Sequence, residues 1–186
     1  TISSETQNPD DVRIYYSASN SNANYVLLFR GCDYVSVENI EFVNNTLSSG
    51  YTRVISFTQY SSGINAEFNA IRNCRIIGKS GSPTTADEAL IGHYRKIIGG
   101  TEIIGNQFLG GSYSLYFDIY NFETEVSENL KIKGNTFSSN RGVYLEGLNK
   151  LEFIGNTLSS NSDHGLNLYR CHENIRIAGN RISSYS

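Results

Sequence analysis

The sequence predicts an all-β solenoid, in which the short strands of successive coils stack into parallel sheets. A six-residue motif that recurs along the chain and short apolar alternations around it predict this class. Alternation over three to five residues is typical of strands that are buried on one face. The chain has 17 Gly and only 2 Pro, and its Gly, Asn and Ser residues suit many tight turns.

The recurring motif has an apolar residue at each end and a Gly/Asn pair, or its remnant, between them. It reads VENIEF, IRNCRI, IIGNQF, IKGNTF, FIGNTL and IAGNRI, starting at residues 37, 71, 103, 132, 153 and 177. The intervals are therefore 34, 32, 29, 21 and 24 residues. A constant motif at variable intervals indicates one repeated coil with loops of different length.

Each repeat also contains a second apolar run, which predicts a third strand. These runs occupy residues 27–29, 55–57, 90–92, 115–117, 143–145 and 166–168. A single coil cannot bury its apolar residues, whereas coils stacked about 4.8 Å apart form a continuous core. We therefore expect one domain over residues 1–186 with six to seven coils of three short strands. Residues 1–24 would form a lead-in coil, and residues 25–183 the repeats.

The Asn that follows Gly in the motif predicts a ladder at one corner of the solenoid. Its members are Asn106, Asn135, Asn156 and Asn180, and Cys74 takes the same position in an earlier coil. A stacked Asn can hydrogen-bond its neighbours above and below, and it tolerates the left-handed backbone of a tight corner. We expect these residues to be structural rather than ligands. The three widely spaced cysteines form neither a disulfide framework nor a CxxC site, so buried free thiols are expected.

The IxGNxF corners and the segment GVYLEGLNKLEFIGNTLSS resemble the right-handed parallel β-helix family, the pectate-lyase-like superfold. The resemblance covers essentially residues 25–183 and implies a single-stranded right-handed parallel β-helix. Residues 1–14 also resemble the lead-in coil of β-helices in large surface proteins of Bacteroidetes-type bacteria. This second likeness implies an extracellular or cell-surface location.

The family includes polysaccharide lyases and hydrolases, epimerases, phage tailspikes and noncatalytic adhesins, so the fold alone does not decide the function. Polygalacturonase-like enzymes carry several short motifs. The nearest likeness to them in this chain is Asp163-His164-Gly165, and the other motifs are missing. The signature of the calcium-dependent lyases is also missing. We therefore expect no cofactor, with calcium left open because acidic residues occur in plausible places.

Family members that act on polysaccharides use the outer face of the sheet that the second apolar run forms here. If Leu115 and Phe117 point inward, Tyr116 and Asp118 point outward, since strand side chains alternate. On this register His93, Asp118 and Glu146 form a column across three coils and are the candidate catalytic residues. Neighbouring carboxylates can divide acid and base roles, and tyrosine rings can stack on sugars. The candidate substrate-binding residues are Tyr116, Tyr144, Tyr169, Arg141 and His164.

Two loops, at residues 79–88 and 118–129, leave near the same sheet and would wall a groove. The formal net charge is −3 and no basic stripe is present, so nucleic acid is not an expected partner. The apolar runs are too short to span a bilayer, so no membrane insertion is expected. No metal site is predicted.

The leading functional hypothesis is a noncatalytic structural or adhesive module of a secreted or cell-surface bacterial protein. Its expected partners are a polysaccharide or surface glycan and flanking domains of the same chain. Flanking domains are expected because strands without caps at both ends suggest a fragment of a longer protein. The alternative is a polysaccharide lyase or glycoside hydrolase that acts in a groove on the outer face of one sheet. A trimeric tailspike-like fibre segment is a third possibility.

Overall fold

The computed structural model describes residues 1–18, 24–44, 53–61, 63–79, 85–94, 98–119, 127–161 and 165–184. The strands are short and parallel, and they form two seven-stranded sheets, one six-stranded sheet and one two-stranded sheet. Short 3-10 turns occur at Pro9–Asp11 and Ala86–Glu88. The prediction of an all-β structure is confirmed.

Sheet A contains β1 (Ile2–Ser3), β4 (Ser36–Glu38), β7 (Ala70–Arg72), β10 (Glu102–Ile104), β14 (Lys131–Lys133), β18 (Glu152–Ile154) and β21 (Arg176–Ala178). Sheet B contains β2 (Arg13–Tyr16), β5 (Glu41–Asn44), β8 (Arg75–Ile77), β11 (Gln107–Leu109), β15 (Thr136–Ser139), β19 (Thr157–Ser160) and β22 (Arg181–Ser184). Sheet C contains β3 (Leu27–Arg30), β6 (Ile55–Thr58), β9 (Ile91–Tyr94), β12 (Leu115–Asp118), β16 (Val143–Glu146) and β20 (Leu166–Tyr169). The two-stranded sheet pairs β13 (Ser127–Glu128) with β17 (Leu148–Asn149).

The chain visits sheets A, B and C in turn and then returns to sheet A one coil further on. Each strand therefore pairs with its counterparts in the preceding and following coils, not with its neighbour in sequence. This order is consistent with a three-sided parallel β-helix solenoid of six to seven coils.

The two apolar ends of the repeated motif stack in register along sheets A and B. The sheet A column is Ile2, Val37, Ile71, Ile103, Ile132, Phe153 and Ile177. The sheet B column is Ile14, Phe42, Ile76, Phe108, Phe137, Leu158 and Ile182. The central members are fully buried, so these columns line a continuous core. Ile2 and Ile14 extend both columns into the lead-in segment.

The asparagine ladder is present between sheets A and B. The Asn135 amide nitrogen donates to the Ile103 carbonyl oxygen (2.8 Å) and to Asn156 Oδ1 (3.0 Å), and its Oδ1 accepts from the Asn106 backbone N–H (2.9 Å). Cys74 lies at the next position, where its N–H donates to Asn106 Oδ1 (2.9 Å). One detail of the prediction was wrong: the left-handed backbone belongs to the residue before each ladder Asn, such as Gly134 (φ 62°) and Gly155 (φ 65°).

The three cysteines are free thiols, as predicted, but only Cys74 is fully buried. Cys32 and Cys171 are partly exposed and pack against the core cluster. Burial raises the pKa of Cys74 to about 11 and also raises the pKa of Cys171. Both thiols are therefore held in the protonated form, which suits a packing role.

The outer face of sheet A carries ion pairs between neighbouring coils. Arg72 lies between Glu38 (2.8 Å) and Glu102 (2.6 Å), and Lys131 contacts the other oxygen of Glu102 (2.9 Å). Lys133 pairs with Glu152 in the same way. This face is a solvated, charged surface. Within the described residues, no helix has the length and apolar character needed to cross a membrane.

Candidate functional site

The outer face of sheet C presents two columns, and their register corrects one predicted residue. His93 pairs with Phe57 and Phe117, so it lies in the inward column. It is 1 % exposed, and its ring meets Phe117 edge-to-face with the centroids 6.0 Å apart. The predicted position of His93 beside Asp118 and Glu146 on the outer face was therefore wrong by one residue. The backbone of Tyr94, not that of His93, pairs with Asp118.

The first outward column contains the aromatic residues of the site. In chain order it is Leu28, Ser56, Gly92, Tyr116, Tyr144 and Asn167. Tyr116 and Tyr144 come from neighbouring strands, β12 and β16, and their rings stack with centroids 4.9 Å apart and planes 15° apart. This direct contact follows from their register, because paired residues in parallel strands place their side chains side by side.

Tyr113, in the residues leading into β12, completes the cluster. Its ring centroid lies 5.0 Å from that of Tyr116, with the planes at 58°, and 6.4 Å from that of Tyr144. The three rings therefore form an angled surface rather than one flat stack. Arg141 contacts this surface, since its Nη1 donates to the Tyr113 hydroxyl (3.2 Å) and its guanidinium lies 5.9 Å from that ring's centroid. The prediction included Arg141 but missed Tyr113.

Glu146 belongs to the second outward column and is only 8 % exposed. The Tyr144 hydroxyl donates to Glu146 Oε2 (2.7 Å), and Arg170 Nη1 lies 3.8 Å from Glu146 Oε1. Burial and this hydrogen bond raise the pKa of Tyr144, and the charge of Asp118 adds to the effect. Tyr144 is therefore a protonated hydrogen-bond donor whose hydroxyl is oriented by Glu146.

The remaining predicted residues lie in different surroundings. Asp118 is half-buried at the end of β12, on the same face as Tyr116. Tyr169 lies opposite Glu146 in β20, where the Arg170 guanidinium is 4.9 Å from its ring centroid. His164 and most of the loop at residues 118–129 lie outside the described residues, as does part of the loop at 79–88. The roles of all these residues stay predictions.

A polar pocket lies on the same face, over β3 and β6. Its volume is ≈ 280 Å³, and it is lined by Asn24, Tyr25, Leu28, Arg30, Arg53, Ser56, Thr58, Gln59 and Asp87. This pocket was not predicted, because Asn24, Gln59 and Asp87 lie outside the strands. Among the described residues, no group of three or more His, Cys, Asp or Glu side chains could hold a metal ion.

The chain matched no protein-family model, and comparisons with curated proteins and with solved structures also gave no match. The functional argument therefore depends on the geometry of sheet C. That face combines an aromatic cluster with arginines and carboxylates. Such a combination can bind a polar ligand that has flat, partly apolar faces.

Proposed function

We propose that this protein is a noncatalytic carbohydrate-binding module of the right-handed, pectate-lyase-like β-helix type. The observation that carries the proposal is the cluster of Tyr113, Tyr116 and Tyr144 on the outer face of sheet C. Right-handedness agrees with the strong preference of parallel crossover connections for that hand. The resemblance of residues 1–14 to bacterial surface proteins supports an extracellular or cell-surface location.

The tyrosine cluster suits a sugar because it offers both apolar and polar groups in a fixed arrangement. Tyrosine faces contact the C–H surface of a sugar ring, and the hydroxyl edges bond its hydroxyl groups. Stacking between Tyr116 and Tyr144, and the Tyr144–Glu146 hydrogen bond, hold the rings in place before a ligand arrives. Such preorganisation reduces the entropy that binding would otherwise lose.

The register of β9 favours binding over catalysis. His93 lies in the core, so it is not available beside Asp118 and Glu146 as a general base. Glu146 is engaged by Tyr144 and by Arg170. General acid–base chemistry requires groups within reach of the substrate's protons, and two of the three predicted groups fit that role poorly.

The test is binding of the purified protein to a panel of neutral and acidic polysaccharides, by affinity electrophoresis or calorimetry. We expect Tyr144→Ala to weaken binding by about tenfold or more, because it removes a ring and the hydroxyl that contacts Glu146. Tyr15→Ala is the matched control, since Tyr15 is an exposed tyrosine on sheet B. Equal binding by both variants would contradict the proposal.

A polysaccharide lyase or glycoside hydrolase is the second candidate, favoured by the placement of Asp118 and Glu146 at the same position of the adjacent strands β12 and β16. The same panel is assayed for unsaturated products and new reducing ends. Turnover that Asp118→Asn or Glu146→Gln abolishes, with the fold retained, would replace the binding proposal. The proposal predicts no turnover by the unmodified protein.

A further inference from the structure

The pocket over β3 and β6 is built around the side chain of Arg53. That side chain is only 15 % exposed and lies across Gly92 on the outer face of sheet C. A Cβ atom at position 92 would come within 2.3 Å of Arg53 Nε, so the arrangement requires glycine there. Arg53 is thus seated on the sheet rather than extended into solvent.

Among the described residues, the Arg53 guanidinium donates to two acceptors, both through Nη2. Its Nη2 donates to Asp87 Oδ1 (3.1 Å) and, at 3.4 Å, to the Ala86 carbonyl oxygen. Its Nε is buried and has no hydrogen-bond partner among the described residues. Burial lowers the pKa of Arg53, and Asp87 opposes that effect only in part. A desolvated guanidinium whose counterion among the described residues is the exposed Asp87 gains from a second anion, since charge-assisted hydrogen bonds are the strong ones.

The rest of the lining makes the pocket positive. Arg30 is the second cation, and its guanidinium lies 5.4 Å from the Tyr60 ring centroid. Among the described lining residues, Asp87 is the only acidic one, and its side chain is 69 % exposed. Ser56 and Thr58 supply hydroxyl groups on the floor of the pocket. Two arginines and hydroxyl donors are the groups that recognise planar or tetrahedral oxyanions.

We propose that this pocket binds an oxyanion group, a carboxylate or a sulfate ester, through Arg53 and Arg30 and without a metal ion. Ser56 and Tyr116 belong to the same outward column, two strand spacings or about 10 Å apart. A saccharide on the tyrosine cluster could therefore place a charged substituent in the pocket. This last step rests on the proposed function, whereas the anion site itself does not.

The anion site is tested with inorganic sulfate and with acetate, by calorimetry at low and constant ionic strength. We expect saturable binding that Arg53→Gln and Arg30→Gln each weaken by about tenfold or more. Asp87→Asn should tighten binding, because it removes the competing carboxylate. A purely structural role for Asp87 would not produce tighter binding.

Arg181→Gln, at an exposed arginine of sheet B, is the matched control and should bind as the unmodified protein does. If Arg53→Gln fails to fold, Arg30→Gln and Asp87→Asn decide the question. No saturable binding of either ion, or equal binding by all variants, would overturn the site.

The saccharide step is tested by comparing neutral, carboxylated and sulfated forms of one polysaccharide. We expect the charged forms to bind more tightly, and Arg30→Gln to remove that advantage while leaving binding of the neutral form unchanged. Tyr144→Ala should weaken all forms but not inorganic sulfate. If Tyr144→Ala left polysaccharide binding unchanged while the arginine variants still weakened sulfate binding, the proposed function would be rejected and the pocket retained. If the arginine variants left sulfate binding unchanged while Tyr144→Ala still weakened polysaccharide binding, the pocket would be rejected and the proposed function retained.

Discussion

A single side chain, that of Asn135, connects three coils. Its amide group donates to Ile103 and Asn156 and accepts from Asn106, and it is buried. Buried polar groups that lose a partner keep the cost of desolvation, so the backbone groups around Asn135 depend on its amide. The ladder therefore stabilises the fold by hydrogen-bonding buried groups of the neighbouring coils.

We expect Asn135→Ala to lower the free energy of unfolding by about 2–4 kcal/mol, because it leaves the buried Asn106 N–H without its acceptor and removes the hydrogen bonds to the Ile103 carbonyl and to Asn156 Oδ1. Urea denaturation measures this change. Asn167→Ala, at a half-buried Asn on the outer face of sheet C, should cost less than about 1 kcal/mol. Similar losses in the two variants would contradict the structural role of the ladder.

Cys74 provides a second test of the same corner. Its Sγ lies 3.7 Å from the Val37 carbonyl oxygen, the place where an amide nitrogen would donate in the later coils. We expect Cys74→Asn to extend the ladder and to keep the free energy of unfolding within about 1 kcal/mol of the unmodified value. Cys74→Leu, which can make no such bond and is larger, should cost more than about 1 kcal/mol.

At the scale of strands, the sequence predicted sheets A and B well because a fixed motif sets their register. Strand β9 shows where this fails. Residues 90–94 read Leu-Ile-Gly-His-Tyr, and either Leu90 and Gly92 or Ile91 and His93 could point inward. A histidine is the less usual core residue. The structure nevertheless places it inside, and the outward Gly92 makes room for Arg53.

The composition of the candidate site was only partly predictable. Tyr116, Tyr144 and Glu146 follow from strand alternation and lie on the expected face. Tyr113 precedes its strand by two residues, as Arg141 does, and its membership of the cluster depends on ring contacts with Tyr116 and Tyr144 that alternation does not predict. The Arg53 pocket combines residues of separate corners, and their approach depends on loop geometry that no local pattern encodes.

The ion pairs of sheet A predict how stability depends on pH. Hydrogen bonds from Ser36 and Arg72 hold the pKa of Glu38 below its ordinary value, and those from Arg72 and Lys131 do the same for Glu102. A lowered pKa in the folded state adds stability that is present above the unfolded pKa, near 4.5. We expect that contribution to be lost as the pH falls below about 4.5, through the folded pKa values.

Arg72→Gln should reduce this acid sensitivity, because it removes the partner shared by both carboxylates. Thermal unfolding between pH 3 and pH 7 measures the effect. Arg181→Gln is the control and should retain the original pH profile. An unchanged profile in Arg72→Gln would show that other carboxylates dominate the acid response.

At the scale of the molecule, the core is continuous but its burial is uneven. Phe137 is fully buried between Phe108 and Phe153, whereas Ile182 in the last coil is 47 % exposed. Since each strand pairs only with strands of the neighbouring coils, stability is approximately a sum of coils and the interfaces between them.

We expect Phe137→Ala to lower the free energy of unfolding by about 3–5 kcal/mol, because it opens a cavity inside the stack. Ile182→Ala should cost less than about 1.5 kcal/mol, since the water-exposed side chain loses little burial. Chemical denaturation of both variants measures the difference. Equal losses would argue against a core centred on the middle coils.

The pairing of each strand with its neighbouring coils alone has a mechanical consequence. A force that pulls on one end of the chain acts on the hydrogen bonds of the outermost coil and leaves those further in unloaded. The molecule would then unfold one coil at a time from the pulled end, instead of in a single cooperative event. Motif intervals of 21 to 34 residues correspond to released lengths of about 70–120 Å per step. Such stepwise unfolding would let the molecule lengthen under load while its inner coils stay folded.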